Sequence, residues 1–189
     1  MSSIFRVSIL AASLLIAGAP AAAQAPAAVA TATDHQHDFD FEFGAWKAHL
    51  RRLVKPLSGS TEWVELDGLS TVRKVWDGHA DLGELSVANT TSHIEGLSLR
   101  TFNPATQQWS VYWANRKDGA VGTPPMVGRF EGDRGLFYAD DTFDGKPIRV
   151  RFIFTKRTPQ AFRLELAFSA DAGKTWEPIW IADFTLIGA

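Results

Sequence analysis

Seven tryptophans and five histidines stand out in a chain of 189 residues that contains no cysteine. Lack of cysteine removes disulfides, thiolate metal sites and thiol nucleophiles together. The histidines (His35, His37, His49, His79 and His93) all fall in the first half. Neither a G-x-S-x-G elbow nor an H-E-x-x-H helix accompanies them, so serine-hydrolase and zinc-protease chemistry find no support. His35-Gln36-His37, flanked by Asp34 and Asp38, has donors suited to Cu(II) or Ni(II). Its place near an Ala/Pro-rich N-terminus reads instead as a solvated chain end, and no metal site is assigned. Haem requires an axial ligand, usually histidine, in an apolar pocket; with no histidine after residue 93, no cofactor is assigned.

The aromatic residues carry the better signal. Indoles bury large areas while keeping one hydrogen-bond donor, so they suit a core and a pocket alike. Ligand pockets are mostly apolar, with a few placed polar groups. The strand parity that turns Trp46, Trp63 and Trp113 inward brings Arg73, Asn115, Tyr138 and Asp140 to the same face. The predicted ligand-binding set is therefore Trp46, Trp63, Arg73, Trp113, Asn115, Tyr138, Asp140 and Trp180, with Arg73 and Asp140 orienting the ligand's polar end. The opposite parity offers a rival. A hairpin centred near Thr158 sets Arg151 across from Glu165, with Arg149, Arg163 and Asp183 on the same side. Such a row is either a solvent-facing ion-pair ladder of small energetic value or a wet cavity able to bind a carboxylate or move a proton.

These residues need elements to position them, and the pattern is strand, turn, strand. Ile148, Val150, Phe152 and Phe154 alternate with Arg149 and Arg151; Phe162, Leu164, Leu166 and Phe168 alternate with Arg163 and Glu165. Period-2 alternation of this kind marks half-buried strands. Thr61–Leu66 and Leu69–Trp76 read as strands broken at Gly68, and Leu97–Phe102 and Trp109–Ala114 flank the turn at Asn103-Pro104. Only Phe39–Phe43 suggests a short helical turn. About ten strands joined by short turns predict an all-β, antiparallel up-and-down barrel, because a twisted sheet of that size curls and closure removes its edges.

At the N-terminus, one basic residue precedes the 13-residue apolar run Val7–Ala19, and Ala21-Ala22-Ala23 fits an A-x-A cleavage site. This predicts a signal peptide over 1–23, a disordered linker over 24–38 and a barrel domain over 39–187. The apolar run is shorter than the roughly 20 residues a membrane-spanning helix needs. The expected product is periplasmic or secreted, with no membrane insertion after cleavage. A formal charge of −2 argues against nucleic acid as a partner.

The stretch Phe39-Asp40-Phe41-Glu42-Phe43-Gly44-Ala45-Trp46 carries a G-x-W triplet at the start of the barrel. With S-T-E-W at Ser60–Trp63, Y-W-A-N at Tyr112–Asn115 and D-D-T-F at Asp140–Phe143, it resembles a bacterial family of exported, calycin-like (lipocalin- and fatty-acid-binding-protein-like) barrels of unknown function. The resemblance implies a barrel plugged at one end by Trp46, an enclosed small ligand and no established catalytic set. Ser169–Trp176 (SADAGKTW) also matches the Asp-box of sialidase propellers; one copy in so short a chain reads as a structural hairpin between the last two strands. Two functions follow as expectations. One is binding of a small apolar or aromatic molecule in the barrel. The other is a cofactor-independent isomerase, lyase or hydrolase using carboxylate and arginine chemistry. Two buried carboxylates beside an arginine would favour the enzyme, and a dry aromatic cavity with one or two polar anchors would favour binding.

Overall fold

In the computed structural model of the chain, the residues described are 34–188. The signal peptide and most of the linker expected from the sequence lie outside them. Ten strands follow one another: β1 (Gly44–Leu53), β2 (Trp63–Val75), β3 (Ala80–Ala88), β4 (His93–Asn103), β5 (Gln108–Asn115), β6 (Met126–Glu131), β7 (Arg134–Phe143), β8 (Lys146–Thr158), β9 (Ala161–Ser169) and β10 (Glu177–Gly188). Each is antiparallel to its sequence neighbours, and β1 pairs with β10 from Ala45↔Gly188 to Arg52↔Trp180, which closes the barrel. The all-β, ten-stranded up-and-down barrel expected from the alternation is the fold observed.

Alternation fixes what faces inward. On β8, Ile148, Val150 and Phe154 are buried, while Arg149 and Arg151 point out; on β9 and β10, Phe162 and Phe184 stack at 4.3 Å inside the wall. Fully burying side chains of this size contributes about 1.5–3 kcal/mol each. Phe39–Phe43 makes the expected helical turn, a 3₁₀ turn at Asp40–Glu42 that enters one end of the barrel. Phe39, with no exposed surface, sits 5.2 Å from each of Trp109, Phe130 and Phe154. Trp46 donates its indole N–H to the Glu42 carbonyl at 2.7 Å. Gly44 takes φ +128° to turn the chain from the plug into β1, a backbone region glycine enters without steric cost.

Three sequence expectations change. Gly68 does not break a strand: β2 runs through it, and a Cβ there would lie 2.0 Å from the Ser86 carbonyl oxygen, so glycine permits close approach of β3. The β8–β9 hairpin pairs Arg151 with Ala167 and Ile153 with Glu165; Arg151 and Glu165 are diagonal neighbours, their nearest side-chain atoms 3.9 Å apart. Residues 35–38, placed in the linker by the sequence reading, are bonded to the barrel, and the histidine pair among them is no loose tail. His35 N–H donates to Gln107, its carbonyl accepts the Trp109 indole N–H at 2.7 Å, and Asp38 accepts from Phe130 N–H. These bonds tether residues 35–38 to the plugged end. His35 and His37 each pair with a separate carboxylate, Asp38 and Asp40.

The Asp-box forms the β9–β10 hairpin, as its turn chemistry predicts. The Asp171 carboxylate accepts from Ser169 Oγ, Thr175 Oγ1 and the backbone N–H groups of Lys174 and Thr175. These bonds, led by those from Thr175, hold the carboxyl well below the usual carboxylate range.

Candidate functional site

The barrel encloses a cavity of about 430 Å³, within the size range of small-molecule sites. Its wall is mainly apolar, with Val72, Leu85, Val111, Met126, Val150 and Phe152 among its side chains. Aromatic rings from the plug, including Phe39 and Phe41, fill the barrel below it. Trp113 on β5 and Trp180 on β10 meet at its upper part, ring centroids 6.3 Å apart and inclined 72°. The two strands lie five places apart in either direction around the ring, so this contact spans the barrel. Trp113 can lie there because Gly96 has no side chain: a Cβ on Gly96 would fall 1.9 Å from the indole. Beside it the loop before β6 is bonded to β5, Gly122 N–H donating to the Trp113 carbonyl at 2.8 Å and Val121 bridging to Ala114. The β5–β6 ladder holds only three pairs, the uppermost Val111↔Met126, and the cavity extends to Gly122, Thr123 and Pro124 in the loop above.

At the plugged end the cavity has a charged floor. Arg100 on β4 donates from Nε to Asp81 Oδ1 at 2.5 Å and from Nη1 to Glu42 Oε2 at 2.8 Å. Its guanidinium carbon lies 4.1 Å from the Phe39 ring centroid. All three ionic side chains are buried. Arg100 and Glu42 line the cavity, with Ser70 and Ser98 nearby on its wall. Three atoms of this cluster have no hydrogen-bond partner among the described residues: Glu42 Oε1, Asp81 Oδ2 and Arg100 Nη2. Burial raises the Glu42 carboxyl to about 7, against the opposing pull of Arg100. Burial likewise raises Asp81. Arg100 loses solvation, but Glu42 and Asp81 outweigh that loss and hold it above its ordinary value. Breaking such a buried set by removing one partner is costly, because the remaining charge is left uncompensated.

The sequence-predicted set divides. Trp113 and Trp180 come together in the cavity. Trp46 faces inward but is packed into the plug against Phe162 at 4.9 Å, so it closes the barrel rather than lining the pocket. Asn115 ends β5 as a turn residue, its side-chain oxygen accepting the Lys117 N–H. Trp63, Arg73, Tyr138 and Asp140 have side chains on the outer face, against the parity assigned to them, although Asp140 stands at the edge of the cavity among the residues that line it. Trp46 pairs with Ser70 and Leu50 with Leu66, so the even positions of β2 face in and Trp63 and Arg73 face out. Arg51 stacks over Trp63 at 5.6 Å. Tyr138 and Asp140 pair with Arg151 and Arg149, and Asp140 is 86% exposed.

The rival row also lies outside. Arg151 stacks at 4.3 Å on Trp176, which packs near Tyr138, and Arg163 makes a two-point pair with Asp183. It is the surface ladder. Neither parity considered from the sequence contained the Arg100–Glu42–Asp81 floor.

A closed, ten-stranded antiparallel barrel around a mainly apolar cavity is the class of protein that the fold and site define, consistent with a calycin-like architecture. Among solved structures, the S-type phycobiliprotein lyase CPES from Guillardia theta is similar, with a TM-score of 0.56 at 8% identity over 84% of this chain and 95% of that one. EF1p2_mFAP2b bound to DFHBI gives a TM-score of 0.45 at 7% identity, covering 80% of this chain and 98% of that one. No protein-family model matches the chain, and no curated protein matches it by sequence.

Proposed function

We propose that the chain is an exported binding protein that holds a small apolar or aromatic molecule inside the barrel. The observation that carries this reading is the mainly apolar cavity, spanned by the Trp113–Trp180 contact and extending toward the weakly paired β5–β6 wall. Apolar walls supply affinity without directionality, and the floor supplies a few fixed polar atoms that orient a ligand. The signal-peptide pattern at residues 1–23 supports export to the periplasm or medium, with 24 as the first residue of the mature chain. Intact-mass analysis of exported protein tests that part; a retained Met1 in soluble cytosolic protein contradicts it. Native mass spectrometry of protein purified from its own host tests the binding. A non-covalent adduct of a small aromatic or apolar molecule is expected, and protein that emerges only as the bare chain and takes up no such molecule contradicts it.

The floor favours a second reading. Two buried carboxylates beside an arginine, with Glu42 raised to about 7, are the groups a cofactor-independent isomerase, lyase or hydrolase needs for proton transfer. The fold does not choose between the two, since function lives in the site; the similar phycobiliprotein lyase is by its name an enzyme. A small-molecule extract altered by the wild-type chain but not by Glu42→Gln would favour catalysis.

A further inference from the structure

We infer that the floor of the cavity is a polar subsite for an uncharged donor–acceptor group, such as a carboxamide or lactam, held by Arg100, Glu42 and Ser98 above Gly83. This rests on the cavity being a ligand site. Arg100 Nη2, a donor, and Glu42 Oε1, an acceptor, are buried without partners on side chains that line the cavity. Buried polar groups are almost always paired, so these two atoms, unpaired among the described residues, mark where a ligand's polar group would pair. Gly83 brings the third polar group to them. A Cβ there would lie 2.6 Å from Ser98 Oγ and 3.9 Å from Arg100 Nη2, so glycine lets the hydroxyl of its cross-strand partner Ser98 lie over β3 beside the Arg100 guanidinium.

Charge decides the ligand class. Arg100 faces Glu42 and Asp81 from neighbouring elements. Lys156 on β8 is the further cation acting on Glu42, and Asp40 the further anion acting on Asp81. Carboxylates therefore outnumber cations here, and another anion would be repelled. An ammonium would suit Glu42 but crowd the free Arg100 nitrogen with like charge. A carboxamide satisfies both: its carbonyl accepts from Arg100 Nη2, its N–H donates to Glu42 Oε1, and no charge is added. The high proton affinity of Glu42 fits the same picture, since a carboxylate ligand would have to bring a proton with it.

Four probes with one aromatic body test this: 2-naphthamide, 2-methylnaphthalene, 2-naphthoate and 2-naphthylmethylammonium, titrated into the full chain by tryptophan fluorescence and calorimetry. At pH 8 the amide binds about tenfold more tightly than the hydrocarbon, as paired hydrogen bonds to buried charged groups imply, and more tightly than either ion. Naphthoate tightens as pH falls through 7, while the amide weakens, because protonation turns Glu42 Oε1 from an acceptor into a donor. Gly83→Ala drives its methyl group into Ser98 Oγ, pushes that hydroxyl out of the subsite and cuts the amide's margin. Glu42→Gln removes the excess negative charge and strengthens naphthoate. Either variant serves if the other fails to fold. If the hydrocarbon binds and the amide has no margin, or naphthoate binds most tightly at pH 8, the subsite is refuted while the cavity reading stands. If none of the four binds, the cavity reading falls and the subsite with it.

Discussion

Replacing Glu42 with glutamine should flatten the pH dependence of stability on the acid side of neutrality. In the folded barrel burial lifts the Glu42 carboxyl from an ordinary 4.5 to about 7. Between those values the folded chain keeps a proton that the unfolded chain has released, so stability falls as pH rises, by the linkage relation. The contribution is fully present below about 4.5 and lost as pH passes through 7. At roughly 1.4 kcal/mol per pH unit, the whole effect is about 3 kcal/mol. Asp81 is raised in the same direction from 3.8, so it adds a slope of the same sign beginning lower. Glutamine keeps an oxygen to accept from Arg100 but cannot ionise, so the variant should lose the Glu42 part and retain the rest. Urea denaturation at half-unit steps from pH 4.5 to 8.5 measures it, since a midpoint change at constant slope is a stability change. Parallel profiles for wild type and variant would refute the reasoning and mean that Glu42 is ionised throughout, stabilised by Arg100.

Three further outcomes follow from the geometry. Arg73→Met leaves stability within about 0.5 kcal/mol and does not alter ligand affinity, because Arg73 sits on the exposed outer face where substitutions are usually near neutral; urea titration and a fluorescence titration check it. Gly96→Ala drives its methyl group into the Trp113 indole, so the near-ultraviolet circular dichroism of the Trp113–Trp180 pair changes while far-ultraviolet strand signal persists. Asp171→Asn lowers the urea midpoint at pH 7, and the gap from wild type closes as pH falls below 3.8, since the native carboxyl is held below that value by its turn hydrogen bonds and its contribution is lost as it is protonated.

The barrel was legible because both inputs are local. Ile148–Phe154 and Phe162–Phe168 alternate without interruption, and turn residues such as Asn103-Pro104 and the Asp-box separate strands. The site was not, because period 2 gives two faces and does not say which is inside. Trp63 suggested odd positions for β2, yet Leu66 and Val72 on the even positions are the buried ones. On β4 the usual guide fails outright: Leu97 and Leu99 are 37% and 39% exposed, while Arg100 is buried. Its partners come from a distant 3₁₀ turn and from β3, so no spacing along the chain announces the cluster. One signal was present in Phe39–Phe43, where Glu42 sits between aromatic residues that the plug buries. A carboxylate carried into an apolar plug needs a buried cation, and β4 supplies the nearest inward arginine.

The central claim, that a ligand occupies the barrel interior, has a single-site reporter. The chain has two methionines, Met1 and Met126, and Met126 is buried on the cavity wall. With the methionine methyl groups labelled with carbon-13, titration of 2-methylnaphthalene or 2-naphthamide should shift the Met126 methyl resonance and give cross-relaxation from the ligand's aromatic protons to that methyl group. A ligand that quenches tryptophan fluorescence while the Met126 resonance stays in place and shows no such contact would bind outside the barrel, and would contradict the account.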